Sequence, residues 1–76
     1  MRMELEAMSG SVVVNREWDG REYTITEFLA DVGGVICGVG ISDTERVIKK
    51  GEKVKVQIRK YESIGELQGK AKAVLL

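Results

Sequence analysis

Apolar and polar residues alternate with a period of two along much of the chain, which is the pattern of half-buried β-strands. The first such stretch runs from Arg2 to Ala7, and an apolar run at Val12–Val14 follows Ser9-Gly10-Ser11. Glycine and serine permit a bulge or a bend within a strand. We therefore predict one long, kinked first strand across these residues.

Turn signals separate the next two strands. Asp19-Gly20 lies between two β-prone runs and predicts a two-residue hairpin loop of type I′, which needs positive φ at both central residues. The second strand is then expected from Arg21 to about Leu29, and the third from Val35 to Ile41 after a glycine-rich turn. Within the third strand, Gly38 and Gly40 allow tight curvature or a close approach of another backbone.

A short helix is predicted between the third and fourth strands. Ser42 followed by Glu45 forms a capping box, in which two side chains satisfy backbone donors at a helix start. Val47 and Ile48 provide a small apolar face, and the run Lys49–Gly51 supplies the cations and the glycine that are typical of a helix end.

Two more strands complete the predicted fold. Residues 53–59 alternate strictly and predict a fourth strand with a basic outer face. After a loop at 62–65, the last strand is expected to turn Lys70 and Lys72 away from its small residues. This element order is that of the OB barrel, whereas an SH3-like barrel does not usually need the helix. We predict an all-β fold with a single OB-like domain over residues 1–76, a five-stranded OB-like barrel with one short helix between strands 3 and 4.

The composition argues against several classes of protein. The chain has no histidine and a single cysteine, Cys37, so it lacks the usual general base and the means for an internal disulfide. A zinc site would need carboxylates alone. We therefore expect no enzyme activity, no catalytic residue, no metal and no cofactor.

Neither a membrane span nor a signal peptide is recognisable. No apolar run approaches the roughly 20 residues that span a bilayer. The first residues include acids where a signal peptide needs an apolar core. We therefore expect a soluble, cytoplasmic protein with no membrane contact.

The charges are divided between the two halves of the chain. Residues 1–45 contain nine acidic and three basic residues, for a formal charge of −6, and residues 46–76 contain three acidic and nine basic residues, for +6. Such a division of charge bears on which molecules the protein binds and not on its fold, and it predicts an anion-binding face. The alternative is that the two halves neutralise each other, within one monomer or across a symmetric dimer.

The predicted first hairpin gathers aromatic and basic side chains at its tip. With a two-residue loop, Trp18 faces Arg21 and Arg16 faces Tyr23, all on one side of the sheet. Flat rings flanked by cations are what a stacking platform for unpaired bases requires. The alternative is a cation–π cluster that only stiffens the hairpin. The opposite side is expected to be solvated and carries Asn15, Glu17, Glu22, Thr24 and Thr26.

A basic strip on the last two strands is expected to continue this surface. Tyr61 is expected to extend the stacking surface, although a tyrosine at a strand end more often packs. The alternative for the strip is a solvated face whose lysines deter aggregation. The strip comprises Lys53, Lys55, Arg59, Lys60, Lys70 and Lys72.

Three stretches carry a family resemblance. Gly20–Glu27, Gly51–Val56 and Ile64–Leu67 resemble the small OB-fold single-stranded DNA-binding proteins of filamentous bacteriophages. In that family a turn glycine and a basic residue precede a stacking tyrosine. The resemblance implies that Tyr23 stacks on bases, that Arg21 contacts phosphate, and that homodimers coat DNA cooperatively.

Gly51–Leu75 also resembles the last strands of the TRAM type of RNA-binding OB domain. This second resemblance implies the same fold but RNA in place of DNA as the ligand. We predict that the protein binds single-stranded DNA or RNA with little sequence preference, with Trp18 and Tyr23 as stacking residues. The competing hypothesis is a small β-barrel interaction module whose acidic and basic faces dock to each other or to a partner protein. The predicted phosphate contacts are Arg16, Arg21, Lys53, Lys55 and Arg59.

Overall fold

The computed structural model describes residues 1–18, 20–42 and 44–76, with Trp18 described by its backbone alone. Six β-strands are found in these residues. They are β1 (Arg2–Glu6), β2 (Val12–Trp18), β3 (Arg21–Val32), β4 (Val35–Ser42), β5 (Lys53–Gly65) and β6 (Gln68–Leu75). They form one mixed sheet in the order β1-β5-β6-β4-β3-β2, in which the β4/β6 pair is parallel and the other pairs are antiparallel. The predicted all-β class is confirmed.

The predicted long first strand is two strands at opposite edges of the sheet. β1 pairs with β5, whereas β2 pairs with β3. Residues 7–11 carry the chain between the two edges and are bonded to both. The amide of Ala7 donates to the carbonyl of Glu52 at 2.8 Å, and the amide of Met8 donates to the carbonyl of Leu29 at 2.7 Å. The chain therefore breaks at the predicted serine-glycine bend, because its two ends belong to different strand pairs.

Residues 44–49, where the sequence predicted a helix, form no regular secondary structure. Ser42 ends β4 and pairs with Ile25, so it does not begin a helix. The amide of Ile48 donates to Ser11 Oγ at 2.8 Å, and its carbonyl accepts from the Ser11 amide at 2.8 Å. Backbone groups that a helix would pair internally are thus bonded elsewhere, and the helix prediction is wrong for the described residues. No helix in the described ranges is long and apolar enough to cross a bilayer.

The backbone pairing of the first hairpin has the predicted register, with Arg16 opposite Tyr23. Gly20 adopts a φ of +76°. Glycine reaches this left-handed region without a Cβ clash, as the predicted turn requires. Asp19, the other predicted turn residue, lies outside the described residues.

The core lies on one face of the sheet. Phe28 of β3, Val39 of β4 and Ala71 of β6 meet there, because directly opposed residues point to the same side. Thr26, expected on a solvated face, is fully buried, and its hydroxyl donates to the carbonyl of Thr44 at 2.9 Å. That expectation is wrong because the segment after β4 covers this end of β3.

The last two strands form a hairpin that continues through the predicted loop at 62–65. β5 shifts register between Ile58 and Lys60 and again near its end, so the strand bends while it stays paired with β6. The turn places Leu67 at a φ of 57°, with its side chain 71% exposed. A bulky L-residue in this region is strained by roughly 1–2 kcal/mol.

Replacing Leu67 by asparagine is expected to stabilise the protein, because asparagine tolerates the left-handed region and little buried apolar surface is lost. A gain of about 1 kcal/mol would raise Tm by roughly 4–8 °C in a domain of this size. Leu67→Ala is the control, since alanine keeps the strain. Thermal melts in which Leu67→Asn is no more stable than Leu67→Ala would contradict the assignment of strain.

Candidate functional site

The sheet face that points away from the core carries a groove of about 190 Å³, and its floor is made of glycine. Gly38 and Gly40 of β4 alternate with fully buried core residues and therefore face the groove. They line it between side chains of β3 and side chains of β6. The two flanking strands are two strand spacings apart, roughly 10 Å. Nothing lies within 4 Å of the point where a Cβ on Gly38 would stand, whereas Ile25 Cδ1 of β3 lies 3.0 Å from that point at Gly40. The floor of the groove is therefore open at Gly38, and the Ile25 side chain covers Gly40.

Two rows of residues cross the groove. In the first row Gly40 separates Glu27 of β3 from Lys72 of β6, and Lys60 of β5 follows Lys72. The second row, in the same strand order, is Leu29, Gly38, Lys70 and Glu62. One bank of the groove is thus built by the β2–β3 hairpin, and the other bank by the β5–β6 hairpin.

An ion pair forms the first bank. The guanidinium of Arg16 donates to both carboxylate oxygens of Glu27, with Nη2 at 3.0 Å from Oε1 and 2.9 Å from Oε2, and Nε at 3.2 Å from Oε1. Bidentate geometry makes the pair specific, and the exposure of its side chains leaves it open to screening by water and salt. The arginine predicted to contact phosphate already holds an anion from its own chain.

Lysines of β5 and β6 form the second bank, and one of them contacts Tyr23. The Nζ of Lys72 lies 5.1 Å from the centre of the Tyr23 ring, within the range of a cation–π contact. Tyr23 is half-buried and lines the groove. Lys70 lies 3.6 Å from the carboxylate of Glu62, and both side chains are well exposed. Of the predicted aromatic and cationic surface, Arg16 and three lysines of the basic strip therefore line the groove together with Tyr23.

Arg21, which was predicted at the hairpin tip, does not line the groove. Arg21 is exposed and stands opposite Trp18 in the β2–β3 register, as predicted. Since directly opposed residues share a side of the sheet, Arg21 is on the same side as Arg16 and Tyr23. The side chain of Trp18 lies outside what the structure describes.

The other predicted cations and Tyr61 do not line the groove. Lys53 and Lys55 lie at the far end of β5, opposite Glu6 and Glu4 of β1. Arg59 falls where β5 shifts register. Tyr61 lies opposite the core residue Ala71, and it is therefore on the other side of the sheet.

The register of β1 with β5 also bears on the alternative hypothesis that the acidic and basic halves of the chain neutralise each other. Acids from the N-terminal half lie directly opposite lysines from the C-terminal half at both of these positions. Within the groove, each ion pair joins residues of the same half, Arg16 with Glu27 and Lys70 with Glu62. Opposite charges of the two halves therefore face each other along the β1/β5 pair, and not in the groove.

Sequence reasoning passed over several groove residues. The sequence indicates Gly38 and Gly40 as positions of close backbone approach, but their spacing of two does not by itself predict a groove. Lys60, Lys70 and Lys72 belong to the predicted basic strip and not to the predicted site. The predicted hairpin register places Glu27 on the same side of the sheet as Arg16, but their contact depends on side-chain conformations that the sequence does not give.

Cys37 is buried in the core and lacks both the exposure and the low pKa of a reactive thiol. It is 0% exposed, and burial, followed by the nearby Asp31 carboxylate, raises the pKa of its thiol. The thiolate is the nucleophilic form, so the raised pKa lowers its reactivity. Within the ranges that the structure describes, no group of three His, Cys, Asp or Glu residues is arranged to hold a metal ion.

Comparisons with models of protein families, with curated proteins and with solved structures find no match to this chain. The resemblance to the phage proteins, the homodimer and the cytoplasmic location stay predictions. The geometry of the groove is therefore what points to a function.

The native protein is expected to react with a thiol reagent at pH 8 at least about tenfold more slowly than the chain unfolded in urea, because Cys37 must be exposed and deprotonated to react. Absorbance of the released chromophore gives the rate, and the urea-unfolded chain is the reference. A native rate equal to the unfolded rate would show that Cys37 is accessible.

Proposed function

We propose that this protein binds single-stranded nucleic acid across the glycine-floored groove. The observation that carries the proposal is that the half-buried ring of Tyr23 borders a groove with cations on both banks. Base stacking on an aromatic ring and phosphate contacts from flanking cations are the two components of single-strand binding without sequence preference.

The finer fold assignment, an OB-like barrel, belongs to this proposal. Its support is that β1 and β2 are consecutive in the chain yet occupy the two edges of the sheet, like two halves of one first strand. With the halves counted as one, the second and third strands are β3 and β4. In OB folds the face of strands 2 and 3, with the loops joining strands 1–2 and 4–5, binds oligonucleotides. The groove here lies on the corresponding face, between the corresponding hairpins.

The size of the groove favours a polymer that inserts one ring at a time. Pockets for drug-sized molecules measure roughly 300–1,000 Å³, whereas a cavity of about 150 Å³ accepts a benzene ring. A groove of about 190 Å³ suits a single flat ring. A nucleobase on a strand that continues past both ends of the groove has this shape.

Each part of the site has a proposed role. Tyr23 stacks on a base in the groove, and Trp18 stacks on a neighbouring base at the hairpin tip. Arg16 and Arg21 contact phosphates on the side of the first hairpin. Lys60, Lys70 and Lys72 contact phosphates on the side of the second hairpin. A longer strand would reach the outlying cations Lys53, Lys55 and Arg59.

Replacing Tyr23 by alanine is expected to weaken binding of a 16-nucleotide oligo-dT by roughly 5- to 150-fold, the factor that corresponds to 1–3 kcal/mol for one stacked base. Fluorescence of Trp18, the single tryptophan of the chain, reports binding at low salt. Tyr23→Phe is the matched control, since it keeps the ring and removes only the hydroxyl. Arg21→Ala should also weaken binding.

Two results would count against the proposal. One is unchanged Trp18 fluorescence together with no mobility shift of the oligonucleotide, which would favour the protein-interaction module. The other is equal loss of affinity in Tyr23→Ala and Tyr23→Phe, which would remove the stacking role. Parallel titrations with oligo-U distinguish RNA from DNA as the preferred strand.

Replacing Gly38 by alanine is expected to weaken binding roughly tenfold, as a methyl group placed in a fitted apolar site does, without loss of stability. A Cβ at this position meets no atom within 4 Å, and alanine suits a strand interior better than glycine. Gly10→Ala is the control, because its Cβ also meets nothing and Gly10 lies outside the groove. Affinities and thermal melts of both variants give the comparison. Wild-type affinity in a folded Gly38→Ala protein would place the ligand elsewhere.

A further inference from the structure

We propose that Glu27 competes with the ligand for Arg16, because its carboxylate occupies the position on the guanidinium that a phosphate of the ligand would take. This inference rests on the proposed function and adds to it a residue that limits affinity. In the free protein Glu27 is bound to the guanidinium of Arg16 by three hydrogen bonds of 2.9–3.2 Å. Binding then exchanges a carboxylate for a phosphodiester.

The geometry of the pair supports exchange. Both residues line the groove. Glu27 is paired with Gly40 of β4, which has no side chain to contact the carboxylate. The side chain of Arg16 is 57% exposed and that of Glu27 is 24% exposed. A ligand in the groove therefore reaches the guanidinium from solvent without opening the core.

The energetics also permit exchange. Ion pairs exposed to this degree contribute roughly 0.2–1 kcal/mol, because water and salt screen them. A phosphodiester offers the guanidinium the same bidentate, charge-assisted hydrogen bonds as a carboxylate. The competitor is thus weak enough to displace and near enough to lower the affinity.

Glu27 also affects the net charge that an incoming strand meets. In the first row across the groove it stands opposite Lys72 and Lys60, with Gly40 between them. Removal of its charge should therefore both free Arg16 and reduce repulsion of the phosphates. A variant series has to separate these two effects.

The experiment measures affinity for oligo-dT over a range of salt concentrations, with Glu27→Gln as the central variant. We expect binding to tighten by about two- to fivefold, the factor that corresponds to releasing an exposed ion pair. The slope of log affinity against log salt should steepen by up to about 0.7, the value of one additional phosphate contact on a single strand. Glu22→Gln is the matched control, because it makes the same charge change on the same strand from the opposite side of the sheet.

A double-mutant cycle identifies the partner. In an Arg16→Ala background, Glu27→Gln should lose most of its gain and keep only the part that comes from reduced repulsion, because the guanidinium that it competes for is absent. A gain that persists undiminished without Arg16, or an equal gain in Glu22→Gln, would overturn the inference in favour of a general charge effect. A loss of affinity in Glu27→Gln would overturn it too, because the carboxylate would then contact the ligand directly.

The two proposals fail in different ways. If the wild-type protein binds oligo-dT and Tyr23→Ala weakens it, while Glu27→Gln binds as the wild type does, only the role of Glu27 is refuted. If neither the wild type nor Glu27→Gln binds at low salt, the proposed function is refuted, and the inference with it.

Discussion

The structure depends on a difference between the two faces of β4, because one face packs into the core and the other faces the groove. On one face Cys37, Val39 and Ile41 are fully buried, and burial of a valine or isoleucine side chain contributes roughly 1.5–3 kcal/mol. On the other face Gly38 and Gly40 leave the sheet without side chains. Glycine weakens a strand interior by roughly 0.5–1 kcal/mol, and the buried face offsets that loss. The strand that anchors the core therefore also provides the floor of the groove.

The crossing of the chain at residues 7–11 adds a second connection between the two sides of the sheet, besides the β4/β6 pairing. Ala7 is buried and joined to the β5 side of the molecule by its bond to Glu52, while Met8 is joined to Leu29 on β3. The crossing ties together the two edges of the sheet. It thereby fixes the β2–β3 hairpin relative to the β5–β6 hairpin.

The folded charge distribution differs from the linear one. The chain is acidic in its first 45 residues and basic afterwards, yet the sheet pairs β1 with β5 and sets Glu4 opposite Lys55 and Glu6 opposite Lys53. In the groove, arginine and lysine alternate with glutamate. Long-range attraction of an anionic polymer is therefore moderate. The proposed binding depends more on contacts inside the groove than on the net charge of either half of the chain.

Local pattern in the sequence determined the all-β class, the first hairpin and the pairing of Arg16 with Tyr23, because side-chain alternation and turn chemistry act over a few residues. Tertiary structure decided what depends on distant partners. It split the first strand between two edges, replaced the expected helix by bonds between Ile48 and Ser11, and buried Thr26 under the segment that follows β4. It also joined Glu27 to Arg16 and set Lys72 over Tyr23. A period of two tells which residues share a face, but strand order alone decides which strands are neighbours, and the groove is made by neighbours that are far apart in the chain.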